Sequence, residues 1–281
     1  MRVFDVPEAR PDTAASSITR KRAIFHNAVV FAMDAGLISE NLIPRISWSL
    51  PEPVDEEIDP ASVPNPELAR SLLRAVGNQG KRGRRLVAFF GCIYYAAARP
   101  AELLELRPSQ CHLPRRGFGC IRLQKTRPRS GRGWTDSGET HDQRGLKKRS
   151  RKAVRTVPIP PQLVALLRWH IEAYGTAPDG RIFRTLRNGL LHESSYGEVW
   201  ARAREAVLTP QEYESDLAKR PYDLRHACVS TWLSAGVAPQ TAAKRAGHSV
   251  TVLLRVYTRF IKDTDDAENA KIAARLAGPV T

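Results

Sequence analysis

Apolar positions along this chain recur mostly at helical spacing, and the runs that break the rhythm are short. Residues 17–34 place Ala23, Ile24, Ala28, Val29, Phe31 and Met33 in a helix-compatible pattern, which Gly36 and the stretch 41–44 end. Residues 66–76 and 84–98 read as two further helices, the second apolar almost all round and so expected to be buried. A third begins at Pro100, a residue suited to a first helical turn, and continues AELLEL. GCIRLQ (119–124) and VRTVPI (154–159) are short β-like runs. The stretch between them, KTRPRSGRGWTDSGETHDQRGLKKRSRK, is too polar for a core, so strands and loop together predict an elaborated hairpin. Residues 161–174 form an amphipathic helical pattern, 181–183 a short strand, and 194–207 another helix. Three close-set helices follow at 223–235, 239–246 and 250–261, and a charged tail helix ends the chain. The expected class is mainly α with a small antiparallel β-sheet, an α+β arrangement.

Residues 47–66, SWSLPEPVDEEIDPASVPNP, interrupt this pattern with proline and acid. That composition predicts an extended, semi-rigid linker, the alternative being a long surface loop within one domain. The expected organisation is a short helical unit at 1–46, the linker at 47–66 and a larger unit at 67–281. One clear helix with a short tail is too little for an independent domain, so the first unit reads as part of a larger helical domain or as packing on another chain.

Charge sharpens the division. The 281 residues include 44 Lys+Arg and 29 Asp+Glu, a formal net charge of +15. Residues 1–74 hold 8 basic and 11 acidic side chains, whereas 107–155 alone hold 15 basic and 3 acidic. Such a concentration favours a polyanionic partner and says nothing about fold. The longest apolar run, 86–98, is well short of the roughly 20 residues that span a bilayer. The N-terminal MRVFDVPEARPD lacks an export pattern, so a cytoplasmic location and no membrane partner are expected. Cys92, Cys111, Cys120 and Cys228 form no paired spacing typical of a zinc site or a disulfide frame, and read as reduced thiols.

Four places carry reactive side chains in suggestive company. Arg99 lies at the junction of two helices, with Glu102 three residues on as an ordinary ion-pair partner. Arg225 and His226 open a helix in RPYDLRHACVSTWL, and helix N-termini favour phosphate. His248 sits in a Gly-His-Ser turn between helices, and Tyr257 follows nine residues later on a mixed apolar helix.

The order Arg, hairpin Lys, (H/Y)-x-x-R, G-H, Tyr resembles the tyrosine recombinase (phage integrase) family. The matching segments are AAARPAELLEL (96–106), LKKRSRKAVRTVPIP (146–160), PYDLRHACVSTWLSAGV (221–237) and AGHSVTVLLRVYTRFI (246–261). The helix TRKRAIFHNAVVFAMDAGLISENLI is similar to part of that family's helical, SAM-like core-binding domain. The insertion GWTDSGETHDQRGLKKR is similar to integrases of actinobacterial mobile elements. The resemblance implies a catalytic recombinase fold behind a partial core-binding domain, and site-specific integration or excision by metal- and ATP-independent transesterification. Tyr257 would be the nucleophile forming a 3′-phosphotyrosyl bond, with Arg99 and Arg225 on the phosphate and His248 at the second histidine position. The hairpin lysine that protonates the leaving 5′ oxygen maps onto Lys147, with Lys148 as competitor. Double-stranded DNA is the implied partner, on a homotetrameric synapse, with a possible accessory excision or architectural protein, in a nucleoid-associated setting. No cofactor is implied. The basic loop would line the DNA through Lys125, Arg127, Arg129, Arg132, Lys148, Arg149, Arg151 and Lys152, with His226 also near it. A catalytically silent DNA-binding relative and a type IB topoisomerase-like relaxing enzyme are the alternatives.

Elementary chemistry is consistent with these roles. A phenol titrating near pH 10 needs a base or a strongly cationic site to attack at neutral pH. Guanidiniums offer bidentate donors where charge gathers on phosphoryl oxygens. The sequence departs from the family pattern at Tyr222, which stands where a histidine is usual. A phenol accepts a proton poorly, so His226 or His248 is the better base for Tyr257.

Overall fold

The computed structural model describes residues 15–46, 57–147, 150, 153–260 and 265–277. Contacts divide the chain into two units, Met1–Glu56 and Glu57–Thr281. The first is built on helix α1 (Ala15–Asp34), ended by Gly36 at φ 70°. A 3-10 turn at Ile43–Arg45 follows, where the Asn41 side chain accepts a hydrogen bond from Ile43 N.

In the second unit the later part of the Pro-rich segment is tied down. Asp59 caps a 3-10 turn at Pro60–Ser62, Ile58 N donates to Val256 O, and Ala218 N donates to Ser62 O. Residues 57–65 therefore belong to the second unit, because their backbone groups find partners on it. Residues 47–56 lie outside the described residues.

Helix α2 (Pro66–Gly77) starts on Pro66 with Asn65 accepting from Leu68 N. It packs beside α3 (Gly80–Ala96), whose Phe89, Phe90, Cys92 and Ile93 are fully buried, as an apolar helix at the centre of a domain must be. Helix α4 (Pro100–Leu103) is only one turn, shorter than the AELLEL run predicts. Pro108 holds Arg107 extended at ψ 155°, so the chain leaves the helix through turn-type bonds at Glu105 and Leu106.

Strands β1 (Cys111–His112), β2 (Gly119–Leu123) and β5 (Arg155–Ile159) form one antiparallel sheet in the order β1-β2-β5. The β2–β5 register sets Ile121 against Val157 and Leu123 against Arg155, with these four on the buried face. The expected hairpin is thus present, and its polar insertion is itself a ribbon. Strands β3 (Lys125–Thr126) and β4 (Arg144–Gly145) pair antiparallel, and an isolated bridge joins Arg129 to His141. The ribbon's root is fastened to the body at buried Glu105, which accepts from Arg127 Nε and from Gln143 Nε2 at 2.6 Å, while Arg127 N donates to Ala101 O.

Helices α5 (Pro161–Tyr174), α6 (Glu193–Val207) and α7 (Pro210–Glu214) follow. Residues 181–183 form no strand: Ile182 N makes a single backbone bond to Leu106 O, and no ladder forms around it. The last described elements are α8 (Asp223–Ser234), α9 (Pro239–Ala246), α10 (Val250–Tyr257) and α11 (Asp265–Leu276). Helix α10 ends at Tyr257 and tightens into a 3-10 turn at Thr258–Phe260, ahead of the boundary expected from periodicity. A large core joins α2, α3, the sheet, α5 and α6, and a smaller one gathers Ala97, Val229, Leu233, Ala242, Ala246, Leu253 and Tyr257. No helix among the described residues is long and apolar enough to cross a membrane.

Candidate active site

Four segments far apart in the chain meet around the smaller core. Helix α3 ends with Ala97 in the left-handed conformation, φ 46°, which turns its carbonyl onto Arg225 Nη1. Such a backbone costs roughly 1 kcal/mol for a residue with a Cβ. The next two residues deliver Arg99 at the start of α4. Its backbone N donates to Glu102 Oε2 at 2.8 Å and its Nη1 to Oε1 at 2.9 Å. Glu102 is 2% exposed and takes a further hydrogen bond from the equally buried Arg155 on β5. Burial opposes charge on Glu102, but Arg155, Arg99 and Arg225 outweigh it and hold the carboxyl below its usual range.

The C-terminus of α9 organises the cations. Three consecutive carbonyls there each accept from a different arginine: Arg245 O from Arg155 Nη1, Ala246 O from Arg225 Nη2, and Gly247 O from Arg99 Nη2 at 3.0 Å. A helix C-terminus is where orphan carbonyls and the dipole favour positive charge. Gly247 closes the helix at φ 73°, and a Cβ there would meet Arg155 Cδ at 3.0 Å and Arg99 Nη1 at 3.3 Å. The positive φ favours glycine, and a Cβ would also press the two arginine side chains aside by a few tenths of an ångström.

Beyond Gly247 the chain presents His248, whose Nε2 accepts from Arg225 Nη2 at 2.8 Å. That bond assigns the proton of a neutral ring to Nδ1, which is buried without a partner among the described residues, as is Arg225 Nε. Burial and the charges of Arg225 and Arg99 push His248 down to about 3. The Tyr257 ring stacks on His248 with centroids 6.1 Å apart, and its hydroxyl lies 2.8 Å from His226 Nδ1. Burial raises the phenol well above its ordinary value, the nearby Arg225 and Arg99 charges only partly opposing it. Burial together with Arg225 and Arg220 lowers His226 to about 4, so the ring is neutral at neutral pH and, with its proton on Nε2, accepts a hydrogen bond from the phenol. Tyr222 packs edge-on against His226, centroids 5.2 Å apart, and lies under the Arg225 guanidinium.

The structure thus brings Arg99, Arg225, His248, Tyr257, His226 and Tyr222 together. Lys147 is exposed in the turn after β4 and has no hydrogen bond or ion pair to this cluster. Lys125, Arg129 and Arg132 are exposed along the ribbon, with Trp134 exposed beside Arg132. Arg127, expected on DNA, instead turns inward onto Glu105, the buried carboxylate at the ribbon's root. Lys148, Arg149, Arg151 and Lys152 lie outside the described residues. Sequence reasoning missed Arg155 and Glu105 and gave Glu102 only a local pairing role. Arg155 had a signal: in RTVPI it shares the inward face with Val157 and Ile159, where an unpaired charge is costly. Among the described residues no group of three or more His, Cys, Asp or Glu is placed to hold a metal ion.

This architecture is the catalytic fold of the tyrosine recombinases. The Tn1549 transposon integrase in complex with transposon right end DNA is similar over 95% of this chain and 81% of its own, with a TM-score of 0.65 at 20% identity. The XerH site-specific recombinase bound to palindromic difH substrate covers 81% of this chain and 56% of its own, with a TM-score of 0.53 at 14% identity. A lambda integrase dimer bound to a COC′ core site covers 89% of this chain and 60% of its own, with a TM-score of 0.52 at 16% identity. No protein-family model matches the chain, and no curated protein matches its sequence.

Proposed function

We propose that the chain is a site-specific DNA recombinase that cleaves and rejoins duplex DNA through a 3′-phosphotyrosyl intermediate, integrating or excising a mobile element. The observation that carries this reading is the Tyr257 hydroxyl held at 2.8 Å by a neutral histidine inside a ring of guanidiniums. Tyr257 Oη attacks the scissile phosphorus while its proton passes to His226. The P–O5′ bond breaks, and the departing 5′ oxygen takes a proton from Lys147 or Lys148, the hairpin lysines. Arg99 and Arg225 stabilise charge on the non-bridging oxygens, where losing one such donor typically costs on the order of 3 kcal/mol. One phosphate ester replaces another, so religation to a new 5′-hydroxyl balances without a high-energy co-reactant. The exposed basic ribbon and the lysines beyond it would follow the DNA backbone, two sites would be joined in a homotetramer, and an accessory excision or architectural protein fits the same scheme.

Tyr257 and Arg225 are both 0% exposed, so attack requires α10 to carry the phenol outward when a phosphate enters. That same burial favours a second reading, a DNA-binding relative impaired in cleavage. A nicked duplex from the element's flanks separates the two. A covalent protein–DNA product that is lost in Tyr257→Phe supports the recombinase. Binding with no covalent product from either protein leaves only the second reading. Relaxation of supercoiled plasmid without strand exchange would identify a topoisomerase-like enzyme instead.

A further inference from the structure

We propose that Arg155 is a positioning residue for the cleavage step, a buried member of an arginine set held by three consecutive carbonyls, and that it sets both Arg99 and the His248 turn. The inference rests on the transesterification reading above and names a group which that reading does not use.

Arg155 lies at the first position of β5, on the core face of the sheet, with its backbone opposite Leu123. It is 2% exposed, and both terminal nitrogens of its guanidinium are already bonded within the protein, which leaves its role one of holding other groups. Its guanidinium spans two elements: Nη2 donates to Glu102 Oε2, and Nη1 donates to Arg245 O. Glu102 in turn orients Arg99 through both its oxygens, and Arg99 returns to Gly247 O. These bonds close a ring: Arg155, Glu102, Arg99, Gly247, then back along the backbone to Arg245 and Arg155. The ring surrounds the turn from which His248 reaches Arg225. The Arg155 side chain also packs against Gly247, where a Cβ would lie 3.0 Å from Arg155 Cδ.

Stability alone is a weak reason for such a pair, since buried ion pairs are commonly no more stable than well-packed apolar side chains of similar volume. What the pair supplies is geometry. Arg99 has an exposed edge and can meet a phosphate, but its direction is set by a carboxylate that Arg155 holds from behind. Arg155 further ties the start of β5, into which the segment bearing the candidate lysines leads, to the turn that carries His248. Small displacements of a reacting constellation are expensive: about 1 Å costs on the order of a hundredfold in rate.

The test measures single-turnover covalent complex formation by the full chain on a nicked duplex from the element's flanks, together with affinity for the intact duplex in a Tyr257→Phe background that cannot cleave it. Arg155→Met removes the bridge. Arg155→Lys keeps the charge but has a single nitrogen that cannot span Glu102 and Arg245 O, and it serves where the methionine variant does not fold. Either folded variant is expected to cleave about a hundredfold more slowly with unchanged DNA affinity, at temperatures well below its own melting midpoint. In an Arg99→Lys background the Arg155 substitution adds little further loss, because both changes break the same ring. A purely structural role would lower rate and binding together, multiply with Arg99→Lys, and be restored by cooling. That pattern, or a folded Arg155→Lys that cleaves at the unaltered rate, overturns the inference. Absence of covalent product from the unaltered chain would instead overturn the reading on which it rests, and the inference with it.

Discussion

The Tyr257 hydroxyl lies 2.8 Å from His226 Nδ1, across 31 residues of chain, while His248 Nε2 accepts from Arg225. Two histidines that the sequence presents as equivalent candidates therefore have different chemistry. His226 lies within hydrogen-bond reach of the phenol and is the base of the proposed reaction, whereas His248 fixes a guanidinium.

Substitution of His226 by Ala should lower the rate of covalent complex formation by roughly 10²–10⁴-fold, the usual contribution of a positioned general base. Tyr222→Phe should lose little, because Tyr222 meets His226 through its ring. Rates measured on the nicked duplex decide; equal losses in both variants would remove His226 from the role.

The acid side of the pH–rate profile should sit low. A general base must be neutral to work, and His226 stays neutral down to about 4, against about 6.5 for an ordinary histidine. The quantity kcat/KM, which reports the free protein, should stay flat as pH falls to about 5 and then drop near 4. An acid limb centred at 6.5 would contradict the assignment.

Stability should respond to pH in a higher window. His170 and His226 are lowered to about 4 and His248 to about 3, so between those values and about 6.5 the unfolded chain binds more protons than the folded one. Unfolding free energy then rises with pH, by up to about 1.4 kcal/mol per pH unit for each histidine. The loss on acidification should begin near pH 6.5, before the carboxylates titrate. Denaturant melts at pH 7.5, 6 and 5 give the slope, and His170→Gln should flatten it.

Replacing Glu102 by Ala leaves Arg155 buried beside Arg99 and Arg225 without the carboxylate between them. Removing one partner of a buried pair costs about 3–5 kcal/mol, a loss visible as a large fall in Tm. Glu102→Gln should lose less.

Two neighbouring ribbon arginines should behave differently. Arg132→Ala should leave Tm unchanged and reduce the salt slope of DNA binding by about 1, the signature of one lost phosphate contact. Arg127→Ala should destabilise by about 1.5–3 kcal/mol, since it removes a charge-assisted hydrogen bond from buried Glu105. Proteolysis within residues 125–147 should accelerate only in the second variant.

Much of the fold was readable in advance because its signals are local. Pro66, Pro161 and Pro239 mark helix starts, Gly175 and Gly247 mark ends, and an amphipathic period runs between them. The errors also have local causes. Pro108 cut the third helix short by holding Arg107 extended, and residues 181–183 had apolar content but no neighbouring strand with which to pair. The polar insertion was legible as a loop, whereas its ribbon pairing and its anchor on Glu105 depend on Arg127 meeting a carboxylate 22 residues earlier.

The sequence by itself determined the elements, the basic character of the middle of the chain, and the set of chemistries available: a phenol, two arginines and two histidines in a recognisable order. The tertiary structure decided which of these groups serve one another. Arg99 reaches Gly247 across 148 residues and Arg155 reaches Arg245 across 90, because three guanidiniums need acceptors and the end of one helix has three free carbonyls to offer. Periodicity reports which face of an element is apolar. It carries no information about which distant carbonyl or carboxylate neutralises a buried charge, and here that choice separates the base from the clamp and brings Arg155 into the site.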